Sequence, residues 1–241
     1  MLSSLFPPIK ALILDLDGVI WKGDQAIGDL PRIFDRMREL NLRFTLATNN
    51  STRSIDQYVD RMRQFGVEII PEQVVNSAMA TARRLASHFP QGGPVYIVGE
   101  NGIHVAMAEY GFQHSENKPL AVIVGMDRGL TFEKLRKAAL FIRSGAAFYG
   151  TNPDRTFPTP EGLIPGAGSV IALVQVATDV EPIFGGKPFP AMFEIALQRM
   201  GVTAQETLAV GDRLDTDILG GQNAGCRSAV VLSGVTSLEQ A

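Results

Sequence analysis

The sequence predicts an α/β fold: a parallel sheet with flanking helices, interrupted by a second, smaller α/β domain. Three observations carry this expectation. Short apolar runs rich in branched residues alternate with amphipathic segments of roughly ten to fifteen residues, the pattern of βαβ units. The linker-like stretch Pro90-Gln91-Gly92-Gly93-Pro94 breaks the alternation, which then restarts. From Lys187 onward the first pattern resumes, so the middle segment reads as an insert: an outer domain at 1–80 and 179–241, and an inserted domain at 81–178.

The elements follow in order. The apolar run Leu12-Ile13-Leu14 is a buried strand, and Leu30 to Leu40 is a helix with Pro31 in its first turn and Ile33, Phe34, Met37 and Leu40 at helical spacing. Arg43 to Ala47 is a strand that ends in Thr48-Asn49-Asn50-Ser51-Thr52; a helix then runs from Ile55 to Phe65 and stops at Gly66. A helix at Ala78 to Phe89 leads into the linker. In the insert come strand Val95 to Val98, helix Gly102 to Tyr110, strand Ala121 to Val124, helix Phe132 to Arg143 capped by Thr131, and strand Ala147 to Gly150. Thr151 to Gly168 holds four prolines and three glycines without helical period, and is long enough to suggest a functional loop. A helix at Ser169 to Ala177 leads back. The remainder reads as helix Pro188 to Met200, strand Thr207 to Val210, helix Thr216 to Ala224 and strand Ser228 to Leu232.

Composition narrows the function. The chain is 45% hydrophobic and 20% charged, with a net charge of −3 and no block of Lys or Arg, which argues against nucleic acid or an anionic membrane as partner. No apolar run approaches the roughly 20 residues needed to span a bilayer, and Met1 to Lys10 has no signal-peptide pattern, so a cytoplasmic location is expected. The single cysteine, Cys226, excludes an internal disulfide and reads as a structural thiol. His88, His104 and His114 lack metal-ligand spacing.

Four loops carry chemistry. Asp15 and Asp17 emerge from the end of a strand, followed by Gly18. Carboxylates there cost several kcal/mol if buried without partners, and a divalent cation is one partner; an ordinary Asp-Gly turn is the other reading. Thr48 to Thr52 is a row of small hydrogen-bonding side chains. Lys187 directly precedes a proline-started helix, where a cation is unfavourable unless an anion joins it; an exposed lysine on a glycine loop is the other reading. In Asp212-Arg213-Leu214-Asp215-Thr216-Asp217 three aspartates fall within six residues; Asp215 reads as a helix cap, Asp217 as a first-turn charge and Arg213 as an ion-pairing residue. Trp21, just past the first loop, either lines an entrance or closes the core.

In this order the loops resemble motifs one to four of the haloacid dehalogenase superfamily, and Val124 to Thr131 with Thr151-Asn152-Pro153-Asp154 resembles its subfamily IIA, the NagD-like, nitrophenylphosphatase and phosphoglycolate phosphatase branch. The resemblance implies a Rossmann-like core with a C2-type cap between motifs two and three. It implies a phosphatase acting on small phosphomonoesters with Mg²⁺. Asp15 is then the nucleophile and Asp17 the general acid/base. Thr48, Asn49 and Lys187 bind phosphate, while Asp15, Asp212 and the Asp17 backbone carbonyl hold the metal. Asp217 orients Lys187 or metal-bound water. Met126, Asp127 and Arg128 are candidates for cap specificity. The branch commonly dimerises through its cap, so a homodimer is among the expectations. A non-catalytic phosphate-binding or scaffold protein on the same fold is the alternative; a dehalogenase would have no leaving alkoxide for Asp17 to protonate, and a mutase has too little room between Asp17 and Thr48. Branch members continue past Ser233-Gly234-Val235-Thr236 with a further helix and strand, so the sheet is expected to lack an edge strand.

Overall fold

The computed structural model describes residues 7–159 and 161–241. The N-terminal stretch read for a targeting signal therefore lies outside the described residues at 1–6, as does Pro160 of the long loop. The chain divides into two compact units, and both are α/β. One comprises the residues up to Thr48, Ile55–Val75 and Lys187–Ala241; the other comprises Asn49–Ser54 and Asn76–Gly186. These divisions differ from the expected ones at 80/81 and 178/179. The helix Ser77–His88 packs on Asn101–Glu109 of the second unit, and Ile183–Phe184 adds a strand to the second unit's sheet.

In the first unit the strand order is Arg227–Val230, Thr207–Gly211, Ala11–Leu14, Arg43–Thr48, Val74–Asn76. Ala11–Leu14 pairs parallel with both neighbours, Leu14 lying opposite Val210 on one side and Leu46 on the other. All four residues of this central strand are buried, as expected for a parallel sheet covered on both faces. The same register brings the loops that follow the three strands to one end of the sheet, where ligands bind in open α/β folds.

The helix Leu30–Glu39 begins at Asp29, whose side chain accepts the Arg32 N–H at 3.3 Å. Its buried face is Leu30, Phe34 and Met37, whereas Ile33 and Leu40, expected on that face, are 44% and 50% exposed. The spacing i, i+4, i+7 centres the stripe on Phe34, which meets Phe44 edge-on at 4.9 Å.

The second unit has the order Ile183–Phe184, Ala147–Gly150, Ala121–Val124, Gly93–Val98, Phe112–His114, all parallel. Val95, Ile97 and Ile123 face one apolar cluster, and Tyr96, Val98, Val122 and Val124 face another, so this sheet is buried on both sides. Thr131 caps Phe132–Arg143 through the Lys134 N–H, as expected. Within the loop read as structureless, Thr156–Thr159 and Gly162–Pro165 form an antiparallel hairpin.

Two further corrections concern the C-terminal third. The helix expected from Pro188 begins at Ala191, because Phe189, preceding Pro190, is disfavoured from helical geometry. The helix expected over Thr216 to Ala224 is a π-helical turn at Leu214–Ile218 followed by Leu219–Asn223. Among the described residues, no helix is long and apolar enough to cross a membrane.

Candidate active site

At the carboxyl end of the first unit's sheet the structure gathers Asp15, Asp212, Asp217 and Lys187. Asp15 is the residue after Ala11–Leu14, anchored by its N–H to the Val210 carbonyl at 2.9 Å; Asp212 follows the neighbouring strand Thr207–Gly211. Each of the three carboxylates offers one oxygen within 4.8 Å of the others. Lys187 is 2% exposed, and its ammonium donates to Asp15 Oδ1 at 2.6 Å, Asp217 Oδ1 at 2.5 Å and the Ala47 carbonyl at 2.8 Å.

The expectation that Lys187 stands at a helix N-terminus is overturned: it lies in a turn, and buried carboxylates rather than helical N–H groups define its surroundings. The π-helical turn places Asp217 so that Oδ2 accepts the Arg213 N–H at 3.1 Å while Oδ1 meets Lys187. The cap expected of Asp215 is absent: the turn has no side-chain cap, and Asp215 is exposed and faces Arg213 Nε at 3.4 Å. Asp212 Oδ2 accepts the Val235 N–H at 2.7 Å.

Glycines close around these acids. Gly18 has φ +86°, and a Cβ there would lie 2.5 Å from Asp212 Oδ2; a Cβ on Gly234 would collide with the same oxygen, and one on Gly211 with Asp217. Gly18 and Gly234 therefore let the backbone approach the Asp212 carboxylate more closely than any side chain would allow.

Burial pushes the Asp15 carboxyl well above its usual range, and Asp217 and Asp17 add to that push while Lys187 opposes it. Burial alone would lower the Lys187 ammonium, but Asp15 and Asp217 outweigh it and hold the group above its usual range. Burial lifts Asp212 to about 6 against the lowering hydrogen bond from Val235. Asp15 and Asp217 share one lysine and Asp212 adds a third acid beside them, leaving excess negative charge that a hard cation would relieve. Among the described residues, Asp15 Oδ2 and Asp212 Oδ1 accept no hydrogen bond, so each acid keeps an oxygen for such an ion. The donor set fits Mg²⁺.

Thr48 ends Arg43–Thr48 and is buried. Asp17 lies two residues beyond Asp15 in a tight turn, and its Oδ1 accepts the indole N–H of Trp21 at 2.9 Å. Trp21 is 1% exposed, which settles its position in the core, and its contact with Asp17 is one that sequence reasoning missed.

The remaining candidates lie in the second unit. Asn49 donates through Nδ2 to Asp154 at 3.3 and 3.1 Å, and Asn152 donates to the same carboxylate at 3.0 Å. Met126 is buried in the apolar cluster that includes Val124. Asp127 accepts the Gly129 N–H at 2.8 Å and pairs with Lys134 at 2.7 Å, so its carboxylate holds a turn. Arg128 pairs with Glu100 at 3.0 Å with its side chain largely exposed. His88 bonds Tyr149, and His114 Nδ1 accepts the Ile97 N–H; the Cys226 thiol is buried and lifted to about 11, which removes it as a nucleophile.

Comparison with known proteins identifies the family and the fold. Residues 12–113 match a family described as haloacid dehalogenase-like hydrolase, and residues 184–241 match a second described as HAD-hydrolase-like. The 5'-nucleotidase YutF of Bacillus subtilis is 37% identical over 95% of this chain and 90% of its own. The structure of p-nitrophenyl phosphatase from Archaeoglobus fulgidus superposes with a TM-score of 0.90 at 33% identity, over 96% of this chain and 89% of the other. That of a glycerol phosphate phosphatase from Mycobacterium tuberculosis in complex with magnesium gives 0.88 at 38% identity, over 95% and 69%.

Proposed function

The chain belongs to the haloacid dehalogenase-like hydrolases, in subfamily IIA with the nitrophenyl phosphatases, and from that premise we propose that it is a Mg²⁺-dependent hydrolase of small phosphomonoesters. The observation that carries the reading is the convergence of Asp15, Asp212, Asp217 and Lys187 at the end of a parallel sheet. Relatives named as a 5'-nucleotidase, a p-nitrophenyl phosphatase and a glycerol phosphate phosphatase support the substrate class.

Asp15 attacks phosphorus in line, forming an O–P bond as the ester P–O bond breaks, and Asp17 gives its proton to the departing oxygen. In the second half Asp17 takes a proton from water as that water attacks the aspartyl phosphate, freeing inorganic phosphate and regenerating Asp15. Lys187 holds Asp15 by its Oδ1, which directs the other oxygen at the substrate, and opposes the burial that would keep Asp15 protonated. Asp217 holds Lys187 in turn. Thr48 binds a phosphoryl oxygen, with Asn49 behind it tied to Asp154. Asp15, Asp212 and the backbone carbonyl of Asp17 would hold Mg²⁺, which when bound supplies the positive charge that offsets repulsion between carboxylate and phosphate. The second unit acts as the cap, with Arg128 as its exposed specificity candidate.

The test is phosphate release from nucleoside monophosphates, glycerol phosphate, sugar phosphates and nitrophenyl phosphate, with Mg²⁺ and with excess EDTA. Turnover that persists undiminished in EDTA, or none on any ester with Mg²⁺, overturns the reading.

A further inference from the structure

We propose that Trp21 is a positioning residue for Asp17, fixing which carboxylate oxygen carries the transferable proton; this rests on the reading of Asp17 as general acid/base. The turn after the first strand builds the contact. The Leu16 carbonyl accepts the N–H groups of Ile20 at 2.9 Å and Trp21 at 3.1 Å, while the Gly18 N–H bonds the Trp21 carbonyl at 2.7 Å. This folds residue 21 back so that its indole N–H reaches Asp17 Oδ1 at 2.9 Å.

The ring is clamped on its faces and edges. Arg61 stacks its guanidinium 4.2 Å from the ring centre and is itself held by the Gly23 carbonyl, and Phe65 lies 5.9 Å from Trp21. The turn, Arg61 and Phe65 together hold the indole against Asp17 Oδ1.

The chemistry of that bond decides its effect. An indole N–H only donates, so the oxygen it contacts is favoured as an unprotonated acceptor. Proton transfer to the leaving oxygen, and later from water, then falls to Oδ2. A carboxylate free to rotate would divide its proton between two oxygens, only one of them facing the ester.

Because the chain contains one tryptophan, biosynthetic replacement of tryptophan by β-(3-benzothienyl)alanine alters position 21 alone, keeping ring size and removing the N–H. The measurement is kcat/KM on glycerol phosphate, whose alkoxide must be protonated, and on p-nitrophenyl phosphate, whose phenolate leaves without help. The expected result is a loss on glycerol phosphate exceeding that on p-nitrophenyl phosphate by about tenfold, the worth of one hydrogen bond to a charged group. Trp21→Phe should change the ratio in the same direction. Equal losses on both esters, in the isosteric protein, overturn the proposal and leave Trp21 a packing residue. Asp17→Asn is the control: if it discriminates between the esters and the tryptophan replacements do not, the indole proposal alone fails. If Asp17→Asn does not discriminate either, the acid/base reading falls and the proposal with it.

Discussion

Lys187 is bonded to two of the three buried acids, Asp15 and Asp217, so its removal exposes two kinds of dependence at once. Lys187→Met leaves Asp15 and Asp217 without their partner, and urea denaturation should show a loss of about 3 kcal/mol, the scale for breaking a buried ion pair, together with loss of turnover. Asp15→Asn separates the two: it removes the nucleophile but keeps an oxygen for Lys187, so phosphate release should vanish while circular dichroism and melting stay near those of the parent. Gly234→Ala should weaken Mg²⁺ binding, read by calorimetry, because its methyl occupies the place of Asp212 Oδ2. At this scale the site was largely legible. Acids at strand ends have few structural excuses, so Asp15, Asp17 and Asp212 stand out, whereas Asp217 reads locally as a first-turn charge and only the family resemblance pairs it with Lys187. Trp21 did not, because its partner is chosen by backbone bonds from residues 16 to 21 rather than by its chemical type.

The elements that could be read along the chain are those whose signals are local. Caps at Asp29 and Thr131 and uniformly apolar runs such as Ala121–Val124 place their helices and strands without reference to the rest of the molecule. Strands of two or three residues, such as Val74–Asn76 and Ile183–Phe184, owe their existence to a neighbouring strand and have no period of their own. The turn after Ala121–Val124 shows how a chemical-looking residue is absorbed by an element. Asp127 was a specificity candidate, yet one of its oxygens is bonded by Gly129 within the turn and the other by Lys134 of the helix that follows. Asp127→Asn should therefore lower the melting temperature and leave KM unchanged on every accepted ester; a substrate-selective change in KM would return Asp127 to the specificity set.

For the molecule as a whole, the acid cluster makes stability depend on pH in an unusual direction. Burial lifts Asp212 from 3.8 to about 6, so the folded state binds its proton more tightly than the unfolded state does. The resulting stabilisation is complete below pH 4 and is lost as the pH rises through about 6. In EDTA, the parent should lose about 1–2 kcal/mol relative to Asp212→Asn across this interval, and Mg²⁺ should restore it above pH 6. Melting curves of both proteins at pH 4.5 and 7.5 check the sign; a parent that gains stability over that range refutes it. The presence of two units was readable from the restart of alternation after Pro94, but their borders were not. The chain passes between units at 48/49, 54/55, 75/76 and 186/187, and the short return at Asn49–Ser54 leaves no trace in composition. The lone indole has a further use as an intrinsic fluorophore: with its only N–H bonded to Asp17 and its face against Arg61, its emission spectrum is an optical readout of the first unit, changing colour when water reaches the ring during unfolding.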